Sequence, residues 1–302
     1  MINFSIIIPH KNIPDLLLRC LDSIPRRKDV QIIVVDDNSD DDKIDFANFP
    51  GLNDPFVEVI LGKNENRRKG AGYARNLGLE RAKGKWLLFA DADDFFVKGA
   101  FESMSIHINS PYEIIYFKSE SRNSDTFESA NRYKPYNQLI DNFNNGNIDS
   151  EDLLRYRYVV PWSKMIKRDF VIRNEIKFDE VIASNDVIFS LLTGYYAKSV
   201  TTSNQIIYCI TEREGSLTRF SNEHRLTSRY IVYLRYNHFL RKHEKGQYQY
   251  PIFMWFLLPA LKRYDCRMLV KYIRLAFLYK DNPFRGMCKF ILTKLNMINN
   301  YL

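Results

Sequence analysis

In the first half of the chain, short and continuously apolar runs alternate with stretches whose apolar residues recur every three or four positions. The runs are FSIIIP (4–9), QIIVVDD (31–37), VEVIL (57–61), KWLLFAD (85–91) and EIIYF (113–117). Between them, PDLLLRCLDSI (14–24) has helical leucine spacing, and GYARNLGLERAKG (72–84) sets Ala74, Leu77 and Ala82 near one helical face. Apolar strands separated by helices predict an α/β protein with a mostly parallel sheet flanked by helices. In such sheets ligands bind beyond the carboxyl ends of the strands, which here read PHKN (9–12), DDNSDD (36–41) and DADD (91–94).

Two stretches break the alternation. Residues 119–150 are polar and Asn-rich without a sustained period, and predict an excursion or a poorly ordered loop. After Arg225 the pattern becomes amphipathic and aromatic: RYIVYLRYNHFLRK (229–242), FMWFLLPALKRY (253–264), MLVKYIRLAFLYK (268–280) and MCKFILTKLNMI (287–298).

Charge follows the same division. Residues 225–302 hold 15 Lys and Arg against 3 Asp and Glu, a balance of +12 in a chain whose total is +8, so the first 224 residues carry −4. We therefore divide the sequence into a domain over 1–224 and a basic helical extension over 225–302. A bilayer of anionic lipids suits a basic and aromatic extension. Plain packing of a helical bundle suits it as well. No groove-reading motif accompanies the charge, which argues against nucleic acid. The N-terminus lacks a basic, apolar leader, and the run PIFMWFLLPAL (251–261) is too short to span a bilayer. Cys20, Cys209, Cys266 and Cys288 are scattered, without C-x-x-C or nearby His, and read as thiols of a reducing cytoplasm. The expected location is the cytoplasm, peripheral on the inner face of the membrane.

The candidate chemistry lies at the strand ends. Asp91, Asp93 and Asp94 crowd three carboxylates into four positions. A solvated turn with a helix cap would explain them. An EF-hand is excluded, because Phe96 stands where its sixth position needs glycine. A D-x-D pair can instead hold Mn2+ or Mg2+ with few protein ligands, leaving positions open for phosphate oxygens. Asp36-Asp37-Asn38-Ser39 form the neighbouring strand end, readable alone as an Asx turn. The segment from Arg67-Arg68-Lys69 through Gly70 and Gly72 to Arg75-Asn76, on the first turn of the following helix, offers a basic surface for a diphosphate.

IIIPHKN, VVDDNSDD and KGAGYARNLGLERAKGKWLLFADADD, in this order and spacing, resemble the nucleotide-sugar domain of family-2 glycosyltransferases of the bacterial surface-polysaccharide type. The likeness is strong over residues 3–100. It continues loosely through VVPWSKMIKRDFVIRNEIKFDEVIASNDVIFSLL and ITEREGSLTR to about residue 220. It implies the GT-A fold, a UDP-sugar donor and a glycan or lipid-linked acceptor. By this resemblance Pro9 closes the first strand under the nucleotide, Asp36 or Asp37 meets the uracil or ribose, and Arg75 lies near base and diphosphate. Asp91 and Asp93 form the D-x-D, with Asp93 the direct metal ligand. Asp186 is the general base, with Asp179 and Glu180 as rivals close by. Trp162 and Lys164 belong to the acceptor-side motif, and the loop REGSLTR (213–219) folds over the diphosphate. The chain departs from the family in having His10-Lys11 where Tyr is usual, and Asn185 in place of Glu before Asp186.

One base and no enzyme nucleophile imply direct displacement with inversion at the anomeric carbon. A hexose or N-acetylhexosamine would pass from UDP to a hydroxyl. The two departures leave a second reading, a non-catalytic nucleotide- or glycan-binding relative.

Overall fold

A computed structural model of the chain describes residues 1–62, 70–213, 222–285 and 287. The Arg67-Arg68-Lys69 cluster, most of the REGSLTR loop and most of the last amphipathic stretch lie outside these residues. The chain forms two compact units, Met1–Phe220 and Ser221–Leu302.

The first unit is built on β1 (Phe4–His10), β2 (Val30–Asp36), β3 (Val57–Leu61), β4 (Trp86–Phe89), β5 (Phe95–Phe96), β6 (Ile114–Asn123), β7 (Lys164–Lys167) and β8 (Val200–Glu212). Its helices are α1 (Pro14–Asp22), α2 (Ala71–Arg81), α3 (Ala100–Ser105), α4 (Lys134–Asn144), α5 (Ser150–Arg157), α6 (Arg168–Arg173) and α7 (Val187–Tyr196). All eight strands join one sheet in the order β3-β2-β1-β4-β7-β6-β8-β5. β1, β2, β3 and β4 pair in parallel, and β6 pairs in parallel with β8. β7 runs antiparallel to both β4 and β6, and β5 is antiparallel to β8. The sheet is therefore parallel on one side and mixed on the other.

β1 is buried along its whole length, and β2 at every position but Gln31. That is the reason for their unbroken apolar runs: helices cover both faces, so no position is left for a solvent-side residue. Pairing β1 with β2 from Phe4↔Val30 to His10↔Asp36 brings PHKN and DDNS side by side. β6 and β8 pair with register shifts on either side of Lys118: Phe117 faces Ser203, Lys118 faces Ile206 and Ser119 faces Tyr208. The extra residues on β8 that are taken up there are the exposed Asn204 and Gln205 and the buried Ile207.

Residues 119–150 differ from the expected loop. They finish β6, turn, and then form α4, which buries Ile140 and packs Tyr136, Leu139 and Phe143 against the core. Asn137, one of the residues that makes the stretch look unstructured, is consumed by a backbone lock. Its Nδ2 donates to Ser119 O (2.9 Å) and its Oδ1 accepts from Ser119 N (3.0 Å).

The second unit contains α8 (Glu223–Lys242), a π-helical turn over Phe253–Leu257 that continues into α9 (Leu258–Lys262), and α10 (Cys266–Leu278). Tyr230, Phe256 and Tyr272 form its aromatic centre, with ring centroids 4.4 to 6.1 Å apart, and the Tyr230 hydroxyl donates to Tyr272 O. Asn237 is wholly buried and fully engaged: Nδ2 donates to Tyr250 O and Asp281 Oδ2, and Oδ1 accepts from Tyr250 N. No described helix is long and apolar enough to cross a membrane.

Candidate active site

The first layer of the site is the pair of strand ends at β1 and β2. Pro9 is buried within β1, opposite Val35. His10 is also buried, and its Nε2 accepts from Ile13 N (3.2 Å). An amide can only donate, so the ring proton sits on Nδ1 and is given to Asp36 Oδ1 (3.0 Å). Asp36 also accepts from Ser39 N (2.9 Å) and Ser39 Oγ (2.5 Å). Burial pushes its proton affinity up, but the bonds from His10 and Ser39 outweigh it and hold the carboxyl below its ordinary pKa. The Asp36 carboxylate is thus committed to shaping the loop. Asp37 turns the other way and accepts from Gly70 N (2.6 Å) at the start of α2. Asn12 and Asn38 take the left-handed turns that end the two segments, with φ of 58° and 54°.

Gly70 caps the start of α2 with φ of 111°, a conformation that side chains rarely adopt. At Gly72 a Cβ would lie 2.0 Å from Asp179 O, so only glycine lets α2 press against the segment leading to Asp186. Asn76 fastens the same contact, accepting from Phe178 N (2.9 Å) and donating to Phe178 O (3.0 Å). One turn of helix places Arg75 between two partners. Its Nη1 donates to Asn185 Oδ1 (2.7 Å) and its Nη2 to Asp91 Oδ1 (2.5 Å), with the guanidinium 5.4 Å from the Phe178 ring centre. Arg75 sits in the second turn of α2, not the first as its sequence position suggested, because the helix starts at Ala71.

The DADD segment follows β4. Asp91, Asp93 and Asp94 each bring one carboxylate oxygen within 4.8 Å of the others. Three oxygen donors at that separation suit a hard divalent cation. The backbone beneath them is held from three sides. Asp91 N donates to the Tyr208 hydroxyl (2.8 Å), Asp93 O accepts from Arg19 Nη2 (2.7 Å) and Thr211 Oγ1 (2.6 Å), and Asp94 Oδ1 accepts from Thr211 N (2.7 Å). Burial first, then the neighbouring carboxylates, pushes the Asp94 pKa well up. Asp93 moves in the same direction from burial and Asp91, with Arg213 opposing. Arg213 Nε lies 3.8 Å from Asp93 Oδ2.

The second layer comes from the mixed side of the sheet. Asp186 directly precedes α7, is half-buried, and makes no side-chain capping bond. Burial raises its pKa, Arg75 pulls it back, and Asp91 adds to the rise. Trp162 is 1% exposed and packs inside an aromatic cluster, stacked on Tyr208 (5.9 Å) and edge-on to Tyr136 (4.9 Å). Lys164 is 2% exposed; its Nζ donates to Tyr158 O (2.7 Å) beside the Tyr158 and Tyr116 rings. Burial lowers its pKa to about 7, against the pull of Asp186.

The fold brings Arg75, Asp91, Asp93 and the Asn185-Asp186 segment together and places Pro9, Asp36, Trp162 and Lys164 beneath the surface. Arg19, Tyr208 and Thr211, which fix the DADD backbone, were not legible as site residues. Tyr208 and Thr211 reach Asp91 and Asp94 only through the register of β8.

Residues 5–173 match the family described as Glycosyl transferase family 2. The chain is 26% identical over 245 residues to the uncharacterized glycosyltransferase YibD of Escherichia coli, covering 77% of this chain and 67% of that one. It is 27% identical over 219 residues to a poly(ribitol-phosphate) beta-glucosyltransferase of Bacillus spizizenii, covering 70% of this chain but 32% of the relative. Its fold matches that of S. aureus TarS 1-349 solved with UDP-GlcNAc, with a TM-score of 0.60, 21% identity, and coverage of 78% of this chain and 65% of TarS 1-349. The mixed sheet with its helices is thus a GT-A fold, and the chain belongs to glycosyl transferase family 2.

Proposed function

We propose that the chain is an inverting glycosyltransferase that moves a hexose or N-acetylhexosamine from a UDP-sugar to a hydroxyl of a glycan or lipid-linked oligosaccharide in surface-polysaccharide synthesis. The observation that carries this reading is the Arg75 bridge, which joins Asp91 of the acidic trio to Asn185 beside Asp186. A donor site and a proton-accepting carboxylate are thereby held in one rigid unit. The relative that acts on poly(ribitol-phosphate) and the neighbour solved with UDP-GlcNAc support the donor and acceptor classes.

In this mechanism Asp37 and Asn38 stand at the nucleoside end of the cleft, over the loop that Asp36 shapes. Arg75 faces the diphosphate. Asp186 accepts the proton of the acceptor hydroxyl as the new bond forms on the face of the sugar opposite the departing diphosphate. Its raised proton affinity makes it a stronger base than an ordinary aspartate. Asp93 and Asp91 would hold Mn2+ or Mg2+, which when bound neutralises charge on the leaving diphosphate. Trp162 and Lys164 act from below, shaping the acceptor side without lying at the surface. Asn185 accepts a hydrogen bond from Arg75, so with Asn at this position the segment before α7 is still tied to the donor side, which supports the enzyme reading over a non-catalytic binder. UDP release measured with Mn2+ for the unaltered protein, Asp93→Ala and Asp186→Ala tests the reading. Equal activity in all three would sink it.

We assign catalysis to residues 1–224 and membrane contact to 225–302. α10 exposes Arg267, Val270, Arg274 and Phe277 as one stripe at helical spacing, with Tyr264 and Leu278 also exposed. This suits a cytoplasmic protein resting on an anionic leaflet. Co-sedimentation with phosphatidylglycerol vesicles should occur at low salt and be lost in Arg267→Glu/Arg274→Glu. A protein that stays in the supernatant excludes membrane contact.

A further inference from the structure

The acids of the first unit gather where β2 and β4 end, and a set of its cations gathers where β4, β6 and β8 begin. Lys83 and Lys85 lead into β4, and Lys167 closes the antiparallel β7 at the same edge. Arg168 and Arg173 lie on α6, and Lys198 precedes β8. One set of contacts draws them together. Arg168 N donates to Lys85 O (3.0 Å), and its Nε donates to Ala82 O (2.6 Å) beside Lys83. Glu113, just before β6, accepts from Arg173 Nη2 (2.9 Å) and Lys198 N (2.6 Å), and its carbonyl accepts from Lys167 N (2.9 Å). Lys85 Nζ and Lys167 Nζ donate to Asn109 Oδ1 and Pro111 O rather than to a carboxylate. Burial, then the nearby Lys85, lowers the Lys167 pKa, as crowded like charges should. Six cations thus face three acids, Glu113, Asp169 and Glu175, in a domain whose own balance is −4.

Apolar side chains stand exposed at the same edge. Tyr112 precedes β6, Ile172 lies on α6, Tyr196 ends α7, and Ile106 is 80% exposed just after α3. Lysines and arginines interleaved with exposed Tyr and Ile form the pattern of a surface that lies on lipid. The cations meet headgroup phosphates, while rings and branched chains enter the interface. A soluble polyanion would use the cations and leave the apolar side chains in water. The charge polarity also fixes orientation, since anionic lipid attracts this edge and repels the acidic strand ends. We propose that the sheet edge where β4, β6 and β8 begin docks on an anionic phospholipid bilayer, a contact made by the first unit in addition to that of α10. The seven residues of β1 span roughly 20 Å, so this docking holds the acidic strand ends about that far from the headgroups. The reacting hydroxyl is then one within an extended glycan, not one beside a lipid phosphate. That consequence rests on the transferase reading above; the docking itself does not.

Hydrogen exchange of the full-length protein with phosphatidylglycerol vesicles, phosphatidylcholine vesicles or poly-glutamate tests the docking. Phosphatidylglycerol alone should slow exchange several-fold at residues 106–112 and 171–177, and high salt should remove the effect. Lys83→Glu/Lys198→Glu should lower partition onto these vesicles about tenfold or more, with UDP release in the absence of vesicles unchanged. Lys83→Gln/Lys198→Gln should lower it by a smaller factor, and carries the comparison if the charge reversal fails to fold. Protection confined to α10, or unchanged partition in the variants, overturns the proposal. Equal protection by poly-glutamate points to an acidic polymer or protein instead, and overturns it as well. An unaltered protein that releases no UDP overturns the transferase reading and the extended-glycan consequence, whereas the vesicle results alone decide the docking.

Discussion

The parallel side of the sheet and the mixed side supply the same site by different means. β1, β2 and β4 deliver polar groups at their carboxyl ends, where each functional residue follows directly from the apolar run that anchors it. β7 and β8 deliver side chains from within the sheet. Lys164 starts β7 and Tyr208 lies inside β8, both buried. Groups at the strand ends can change partners when a ligand arrives, because their backbone is already paired. Groups inside the sheet are fixed by packing, and act by setting the position and proton affinity of others. Substitutions on the two sides should therefore fail differently.

The largest difference is expected at Asp186, which belongs to neither strand set but depends on both. Asp186→Asn should lower sugar transfer about 10²- to 10⁴-fold, the usual range for a lost general base, with UDP affinity retained. A variant that loses UDP binding in parallel would move Asp186 to the donor side. Next in size is Gly72→Ala, which forces a methyl into the Asp179 carbonyl and parts α2 from the segment before α7. A cost of about 1–3 kcal/mol is expected, seen as a drop of several degrees in the thermal midpoint. An unchanged midpoint would mean the two segments are not pressed together. Tyr208→Phe deletes the acceptor of Asp91 N and should cost about 1 kcal/mol, with weaker Mn2+-dependent UDP binding. Stability loss without any change in binding would make Tyr208 a packing residue only.

A further comparison concerns pH. Lys164 has its folded pKa lowered to about 7 from 10.5, so between those values the unfolded chain binds the proton and the folded chain does not. Stability should rise with pH across that window, and the cost of burying the charge is fully present below it. Urea unfolding at pH 7 and pH 9 should show this gain in the unaltered protein and a smaller one in Lys164→Met. Equal gains would show that Lys164 is not the titrating group.

How much of this could be read in advance follows the same division. DDNS, the glycines at 70 and 72, and DADD were legible because local sequence alone dictates a strand end or a turn. Asp36 was legible as a site residue, but its partner His10 was not, since their bond depends on the β1–β2 register. Arg19, Tyr208 and Thr211 carry no local mark at all; each meets the DADD backbone across more than 70 residues of sequence. Segment 119–150 misled because its asparagines resemble those of a loop. In α4 the helix is set instead by Tyr136, Leu139, Ile140 and Phe143, while Asn137 ties it to Ser119.

The register shift in β8 has a consequence for how this chain tolerates change in length. Asn204, Gln205 and Ile207 form slack between the part of β8 that starts opposite Ile114 and the part that meets the acidic trio. A residue inserted between Asn204 and Gln205 should enlarge that slack and leave Tyr208 opposite Ser119. The same insertion between Cys209 and Ile210 would carry Thr211 to the other face and release Asp94. Natural variants of this architecture should accordingly gain and lose residues before Tyr208 and keep a constant count from Tyr208 to Glu212.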